Sequence, residues 1–339
     1  MKLRGGPTPF RARGGCDREG GARGVKTRIA ESSGNCVGKG RGGRLESGVQ
    51  KLPETMRVES GQGGLRRLVI ETERAEAQIY LHGAHVTHFQ PRGQKPVLFM
   101  SARSSFEAGK PIRGGVPLCF PWFGARQDGR RGPSHGFARV LEWDVTGAET
   151  RSDGTVEIGF RLLPKSWAEQ EWDGELEVDY RVTVGSALGL ELRVGNPSNR
   201  PVGFEAALHT YLAVGDVRQV SIEGLAGTSY LNTVGTPITQ TEGAEPIRIT
   251  AETDRIYKNT RSTCVVRDPV WQRQLVVQKT GSNATVLWNP WIAKAKAMAD
   301  FGDEEWPSML CIETCNVREH TITLAPGQSH AMQAIIQAQ

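Results

Sequence analysis

The sequence lacks the long apolar stretches that membrane proteins need. In its 339 residues no uninterrupted apolar run approaches the roughly 20 residues that span a bilayer. The opening residues MKLRGGPTPFRARGG contain no apolar central region of the kind found in secretory signals. Cysteine is also scarce, because six residues dispersed over the chain do not make a disulfide scaffold. We therefore expect a cytoplasmic protein that does not associate with membranes.

Several motifs of familiar cofactor and nucleophile chemistry are missing as well. The chain has no G-x-x-x-x-G-K-[ST] phosphate loop, no G-x-G-x-x-G after a strand and no G-x-S-x-G elbow. Cys311 and Cys315 are spaced C-x3-C without a second cysteine pair, which is a poor zinc pattern. In HGAHVTH, strand periodicity points the central histidine away from the other two. We predict neither a metal ion nor a cofactor.

The positive charge lies in the N-terminal part. The net charge is +5, yet residues 1–50 contain eleven Lys or Arg and four Asp or Glu, so the remainder is slightly acidic. Thirteen of the 41 glycines also lie in these 50 residues. We expect residues 1–56 to be a disordered Gly/Arg-rich leader, either inert or the result of a start codon assigned upstream of Met56. The alternatives are a targeting presequence and a basic tail, and we expect no specific nucleic-acid partner.

The rest of the chain, residues 57–339, has the pattern of one all-β domain. Short segments with alternating or β-branched residues follow one another, bounded by Gly, Asp or Asn, and only PKSWAEQEW suggests a helix. This pattern predicts a large antiparallel β-sandwich. The predicted strands include LRRLVIET, AQIYLHGAHVTHF, GTVEIGFRLL, LEVDYRVTV, LGLELRVGN, VGFEAALHTYLAV, QLVVQKT, ATVLWNP, SMLCIETCNV and AMQAIIQ.

Two of these segments contain candidate acid–base groups. If FEAALHTYLAV is a strand, His209 shares a face with Glu205 and Tyr211, as in the floor of a groove, unless that face is simply exposed to solvent. In CIETCNV, Glu313 lies between two cysteines, which are small and normally buried. We therefore expect the Glu313 carboxyl to be partly desolvated, with a pKa raised toward the range of a general base.

The segment IRGGVPLCFPWFGARQDGRRGPSHGFAR, residues 112–139, has the composition of a binding loop. Its glycines and prolines prevent a long helix, and ordered loops that contain Arg, His and aromatic residues often bind ligands. Arg113 and Arg139 lie at its two ends, and guanidinium groups suit phosphate or carboxylate, although each could equally form a surface ion pair. The aromatic residues here and in VLWNPW could pack on a sugar ring or belong to the core.

Six motifs identify a resemblance to a known family. RGGVPLCFPWFG, HGFAR, ALHTY, TDRIY, VLWNPWIAKAKAMADF and CIETCNV occur in this order. They resemble the glucose-6-phosphate 1-epimerases, or D-hexose-6-phosphate mutarotases, of the aldose 1-epimerase superfamily. The resemblance extends over essentially all of residues 57–339. It implies a supersandwich, the galactose mutarotase-like fold, with the sugar in a groove across one sheet.

The resemblance also implies roles for individual residues. The catalytic histidine of the family corresponds to His209 and its catalytic carboxylate to Glu313. Substrate-binding positions correspond to Arg113, Ser134, His135, Arg139 and Asp254. The family commonly has glutamine where this chain has Ser134, so we expect the shorter side chain to reach the ligand only through water.

The reaction that the resemblance implies is the interconversion of α and β anomers of a hexose 6-phosphate. Glu313 would take the O1 proton while His209 donates to O5, and Arg113 and Arg139 would bind the phosphate. A non-catalytic carbohydrate-binding protein is the main alternative, since a fold does not determine function. A glycoside hydrolase would need a second carboxylate beside Glu313, for which Asp254 is the candidate. We expect a monomer.

Overall fold

The computed structural model describes residues 52–164 and 170–339. Residues 1–51 of the predicted leader, which was placed at residues 1–56, lie outside the described residues. The possible helix in PKSWAEQEW also falls largely on residues outside the description. The first strand begins at Met56, the last residue of the predicted leader.

Antiparallel β-strands are the main regular elements of the described chain. The strands are β1 (Met56–Ser60), β2 (Arg66–Glu71), β3 (Ala75–Tyr80), β4 (His85–Pro91), β5 (Leu118–Cys119), β6 (Asp144–Thr150), β7 (Val156–Leu162), β8 (Glu177–Val184), β9 (Ala187–Gly195), β10 (Val202–Phe204), β11 (Ala206–Leu208), β12 (Tyr211–Ala213), β13 (Ser221–Glu223), β14 (Ser229–Asn232), β15 (Ile238–Thr241), β16 (Thr253–Tyr257), β17 (Cys264–Asp268), β18 (Arg273–Thr280), β19 (Ala284–Asn289), β20 (Met309–Asn316), β21 (Ile322–Leu324) and β22 (Ser329–Ala338).

The helical elements are short. Within residues 52–164 and 170–339, one α-helix, α1 (Trp291–Ala297), follows β19, and the 3-10 turns are Gln62–Gly64, Ala138–Val140, Trp306–Ser308 and Arg318–His320. The side-chain oxygen of Asn289 accepts a hydrogen bond from the Trp291 N–H at 2.9 Å and so holds the entry to α1. The sequence analysis missed α1, because two turns of an Ala/Lys-rich segment are too short to show a sustained helical period.

Two eight-stranded sheets form the two faces of the sandwich. One has the order β15-β14-β16-β19-β20-β11-β5, with β12 also paired to β20, and the other has the order β13-β17-β18-β22-β9-β8-β7-β6. β20 packs on β22 across the two sheets. A four-stranded sheet, β1 to β4, packs through β3 on β8. This confirms the predicted large antiparallel β-sandwich.

The alternation of side chains explains how each sheet forms the core. In β7, Val156, Ile158, Phe160 and Leu162 are buried, whereas Arg161 is exposed. β20 differs, because all eight of its residues are buried. It is therefore a central strand whose polar side chains must find partners inside the protein.

No α-helix in the two described ranges combines the length and the hydropathy that a membrane span requires.

Replacing a core side chain in β7 should destabilise the fold far more than replacing its exposed neighbour. Phe160→Ala removes a fully buried ring, and we expect the free energy of unfolding to fall by about 3–5 kcal/mol. Arg161→Ala removes a surface ion pair with Asp179 and should cost about 1 kcal/mol or less. Urea denaturation of both variants measures the difference. Similar losses would contradict the assignment of the two faces.

Candidate active site

The register of the first eight-stranded sheet brings distant parts of the chain together. Side chains that are directly opposite in antiparallel strands project from the same face of the sheet. The pairings of β16, β19 and β20 form two adjacent rows of side chains across the sheet. One row continues to His209, between β11 and β12, and the other to Tyr211, in β12. The first row contains Ile256, Val286, Glu313 and His209, and the second contains Asp254, Trp288, Cys311 and Tyr211.

His209 meets Glu313 because the register is unbroken on both sides of it. Leu208 pairs with Thr314 and Tyr211 pairs with Cys311, so His209 falls opposite Glu313. The His209 Nε2 atom lies 3.2 Å from Glu313 Oε1. Both side chains are buried, with exposures of 7% and 1%. The alternative of a solvent-facing strand is therefore wrong for this segment.

Burial determines the charge states of this pair. Desolvation lowers the pKa of His209 well below its usual value, and the nearby His135 and Arg113 act in the same direction. Desolvation likewise raises the pKa of Glu313 well above its usual value, with a further contribution from Asp254. The raised pKa expected for Glu313 is confirmed. Burial therefore disfavours the charged form of each group, and the contact between Nε2 and Oε1 allows one proton to pass between them.

Aromatic rings support the imidazole of His209. The ring of Tyr211 is stacked on it, with centroids 4.8 Å apart and planes at 11°. Trp288 approaches the imidazole with its edge, at a centroid distance of 6.0 Å. These contacts restrict the orientation of the imidazole without using its nitrogen atoms. Glu313 Oε2 is buried and makes no hydrogen bond within the described residues, an arrangement that is costly until a polar group reaches it.

The RGGVP segment runs beside His209 and carries Arg113 to the same place. The His209 N–H donates to Pro117 O at 3.0 Å, and the Tyr211 N–H donates to Gly115 O at 2.9 Å. The guanidinium of Arg113 donates to the Tyr211 hydroxyl at 2.9 Å and forms an ion pair with Asp300 at 3.1 Å. Burial alone would lower the pKa of the Arg113 guanidinium, but Tyr211 and Asp300 raise it, so the guanidinium stays charged.

The two glycines after Arg113 allow this close approach. Gly115 has φ +58°, and a Cβ atom there would lie 2.2 Å from Val86 O. On its other side His85 is fully buried, and its Nε2 lies 2.8 Å from Gly114 O. Burial lowers the pKa of His85 to about 3, so the neutral ring donates this hydrogen bond. The middle histidine of HGAHVTH thus supports the loop that carries Arg113.

The HGFAR segment contributes His135 to the opposite wall. His135 has φ +62°, and its Nδ1 accepts a hydrogen bond from the Gly124 N–H at 3.3 Å. Its ring contacts the edge of Phe123 at 4.6 Å and that of His209 at 5.8 Å between centroids. Burial first, and then nearby arginines, lower the pKa of His135 to about 3. Nε2 of this neutral ring therefore carries a proton.

Two residues predicted to bind substrate, Ser134 and Arg139, lie outside the cavity lining. Arg139 is 7% exposed and donates from Nη2 to the main-chain oxygen of Ser134 at 2.6 Å. Neither residue is among those that line the cavity around His209 and Glu313. Arg139 thus holds the start of the HGFAR turn from behind. Direct contact of Ser134 and Arg139 with a ligand stays a prediction.

Asp254 faces the cavity from β16, where it pairs with Trp288. Burial raises its pKa. The ammonium of Lys294, in α1, lies 4.0 Å from Asp254 Oδ2 and 3.2 Å from Glu252 Oε1. The helix missed by the sequence analysis, α1, thus contributes the cation of Lys294 next to the predicted acidic group, Asp254.

All these groups surround a cavity of about 370 Å³, a size typical of sites for small molecules. His209 and Glu313 open onto it together, and so do Arg113, His135 and Asp254. Of the aromatic candidates, Phe123 and Trp288 line it. Its lining residues are Arg113, Phe123, Gly124, His135, His209, Thr233, Asp254, Ile256, Val286, Trp288, Lys294, Met298, Glu313 and Arg318.

The sequence analysis did not find Lys294 or Arg318. Lys294 lies inside the VLWNPWIAKAKAMADF motif, which was a signal, but neither its spacing nor its charge distinguished it from Lys296. Arg318 follows the end of β20 at Asn316, where strand alternation no longer indicates which way a side chain points. No pattern in the sequence marks it.

Among the residues that the structure describes, one group of side chains could hold a metal ion. Ligand atoms of His209, Cys311 and Glu313 lie within 4.8 Å of one another. A metal would need the thiolate of Cys311, whereas burial raises the pKa of this thiol well above its usual value. Without a metal, the thiol of Cys311 therefore stays protonated.

Comparisons with known proteins agree with the geometry. A model of the family "Aldose 1-epimerase" matches residues 66–337. A protein from Cenchrus ciliaris named "Putative glucose-6-phosphate 1-epimerase" is 35% identical over 274 residues, covering 78% of this chain and 82% of the relative. A protein of the same name from Escherichia coli K12 is 31% identical over 271 residues, covering 79% and 89%.

Solved structures show the same fold. The crystal structure of a "putative mutarotase" from Salmonella typhimurium superposes with a TM-score of 0.78 at 27% identity, covering 85% of this chain and 95% of that one. A "galactose mutarotase-like protein" from Lactobacillus casei gives a TM-score of 0.62 at 15% identity, covering 80% and 100%. The second likeness concerns the fold alone.

The neutral His85 should make the fold sensitive to acid. Below its usual pKa of about 6.5 the unfolded chain binds a proton at His85 that the folded chain does not bind until about pH 3. The free energy of unfolding should therefore fall as the pH decreases from about 6.5 toward 3. In His85→Gln, whose amide can also donate to Gly114 O, the fall should be shallower. Denaturant titrations at several pH values test this, and equal slopes in both proteins would contradict it.

Proposed function

The chain belongs to the aldose 1-epimerase family, and we propose that it interconverts the α and β anomers of a hexose 6-phosphate, with glucose 6-phosphate as the substrate. The observation that carries this proposal is the contact between His209 and Glu313, which are buried side by side at the floor of a sugar-sized cavity. The phosphorylated substrate is supported by the names of the relatives and by the cationic side chains around the cavity.

Anomerisation requires two proton transfers at neighbouring oxygens. A proton leaves the O1 hydroxyl while another reaches the ring oxygen O5, and the C1–O5 bond then breaks to give the open aldehyde. Rotation about C1–C2 and the reverse transfers close the ring as the other anomer. O1 and O5 are bonded to the same carbon, so two groups 3.2 Å apart can reach both. Groups positioned in this way contribute about 10²–10⁴-fold to a rate.

Glu313 acts as the base toward O1 and His209 as the acid toward O5. Burial places their shared proton on the carboxyl in the resting pair, so the cycle begins when this proton passes to His209 across their contact. The sugar hydroxyl that then donates to Glu313 stabilises the carboxylate. In each half of the reaction the pair gives one proton to the sugar and takes one from it, so its proton count is restored when the ring opens and again when it closes, and it can run the reaction in both directions.

The remaining walls hold the sugar. The carboxylate of Asp254 accepts hydrogen bonds from ring hydroxyls, and Nε2–H of His135 donates one. Phe123 and Trp288 pack on the apolar face of the pyranose. Arg113 keeps its charge within the cavity and orients the substrate oxygens nearest to Tyr211. Arg139 contributes through the turn that carries His135.

Removing either proton-transfer group should abolish most of the activity. We expect Glu313→Gln and His209→Gln each to lower kcat for glucose 6-phosphate anomerisation by about 10²–10⁴-fold, measured by polarimetry or exchange NMR. Cys315→Ala serves as the control, because Cys315 is a buried residue on the same face of β20 but does not line the cavity, and it should retain most of the wild-type kcat. Undiminished anomerisation by Glu313→Gln would refute the assignment. Binding of glucose 6-phosphate by the wild type without anomerisation would instead indicate a carbohydrate-binding protein.

A further inference from the structure

Three cationic side chains line the cavity, and they differ in how their charge is compensated. Arg113 is paired with Asp300, and Lys294 with Glu252. The guanidinium of Arg318 makes no ion pair or hydrogen bond within residues 52–164 and 170–339, although it lines the same cavity. A charged group in such a position is available to a ligand of opposite charge.

The main chain holds Arg318 in a defined place. It has φ +60°, a left-handed conformation that is unfavourable for a residue with a Cβ atom. Its N–H donates to Glu205 Oε1 at 2.5 Å, and the other oxygen of Glu205 accepts from the Phe123 N–H at 2.8 Å. One carboxylate therefore fixes Arg318 relative to the opposite wall. Strained main chain retained in this way is typical of functional positions.

The guanidinium of Arg318 lies close to Gly124 and acts electrostatically on two residues that line the cavity. The terminal Nη2 atom would lie 3.6 Å from a Cβ atom placed on Gly124, so the guanidinium lies beside a residue that has no side chain. Its charge also helps to lower the pKa of His135 and opposes the rise in that of Asp254. The guanidinium of Arg318 is therefore close enough to His135 and Asp254 to influence their ionisation, and we call this outer part of the cavity its rim.

We propose that Arg318 binds the phosphate group of the hexose 6-phosphate at the rim of the cavity and so determines the preference for phosphorylated sugars. This inference rests on the proposed function of the site. The sugar ring lies against His209 and Glu313, and the phosphate on C6 reaches outward to a guanidinium with a geometry that suits bidentate binding. The phosphate thereby supplies binding energy remote from the reacting carbon.

The test compares the kinetics of glucose 6-phosphate and free glucose in three variants. Arg318→Gly removes the side chain and suits the left-handed main chain, Arg318→Ala removes it but retains the strain, and Arg318→Lys retains the charge without the fork. In the Gly and Ala variants we expect KM for glucose 6-phosphate to rise by about 10- to 100-fold, the worth of a charge-assisted hydrogen-bonded pair. KM for glucose should change less than about twofold, and Arg318→Lys should be intermediate.

Arg261→Ala is the matched control, because Arg261 is exposed and does not line the cavity; it should behave as the wild type. An unchanged KM for glucose 6-phosphate, or an equal loss for both sugars, would overturn the role of Arg318. A loss in the Ala but not in the Gly variant would assign the effect to the main chain and would overturn it too.

A binding measurement separates this proposal from the proposed reaction. Calorimetric titration with inorganic phosphate and with glucose 6-phosphate should show weaker binding of both to Arg318→Gly than to the wild type. If the wild type binds glucose 6-phosphate but does not anomerise it, the proposed reaction fails while this titration still decides the role of Arg318. Equal affinity of the wild type and Arg318→Gly for both probes would refute it.

Discussion

The site depends on one constraint, the unbroken pairing of β20 with the segment that contains β11 and β12. Leu208 and Tyr211 pair with β20 in the same register. The residue between them, His209, therefore lies opposite Glu313. Both groups are buried, so each loses the solvation that would favour its charged form. The result is a buried acid–base pair inside the sheet, and this geometry supports the proposed proton exchange at two neighbouring sugar oxygens.

The residues around this pair limit the net charge near it, either by ion pairing or by remaining neutral. Arg113 is neutralised by Asp300 and restrained by Tyr211, so it can lie close to His209 without a large net field. Burial keeps His135 and His85 neutral, and each therefore serves as a fixed hydrogen-bond donor. Of the three cationic side chains that line the cavity, Arg318 is the one without an ion-pair partner in the described residues. The protein thus separates a desolvated floor, which contains the proposed proton-transfer pair, from an exposed edge, to which we assign the anionic substituent.

Much of the architecture could be predicted from the sequence. Side-chain alternation identifies strands such as β7 and β20, and the buried setting of Glu313 follows from the cysteines beside it. The contact between His209 and Glu313 could not be predicted from local patterns, because it depends on pairing between segments about a hundred residues apart. The position of Arg139 behind the wall and that of Arg318 at the rim depend on turns, where no periodicity indicates which way a side chain points.

The division between sheet and loops has an evolutionary consequence. Glu313 lies in the core strand β20, and His209 lies between β11 and β12, which both pair with β20. Arg318 and His135, in contrast, project from turns outside that sheet. Substitutions in these turns can therefore alter which sugars are accepted while the chemistry at the anomeric carbon is inherited intact. Such modularity would let one ancestral scaffold diversify among free and esterified sugars by exchanging a few peripheral side chains.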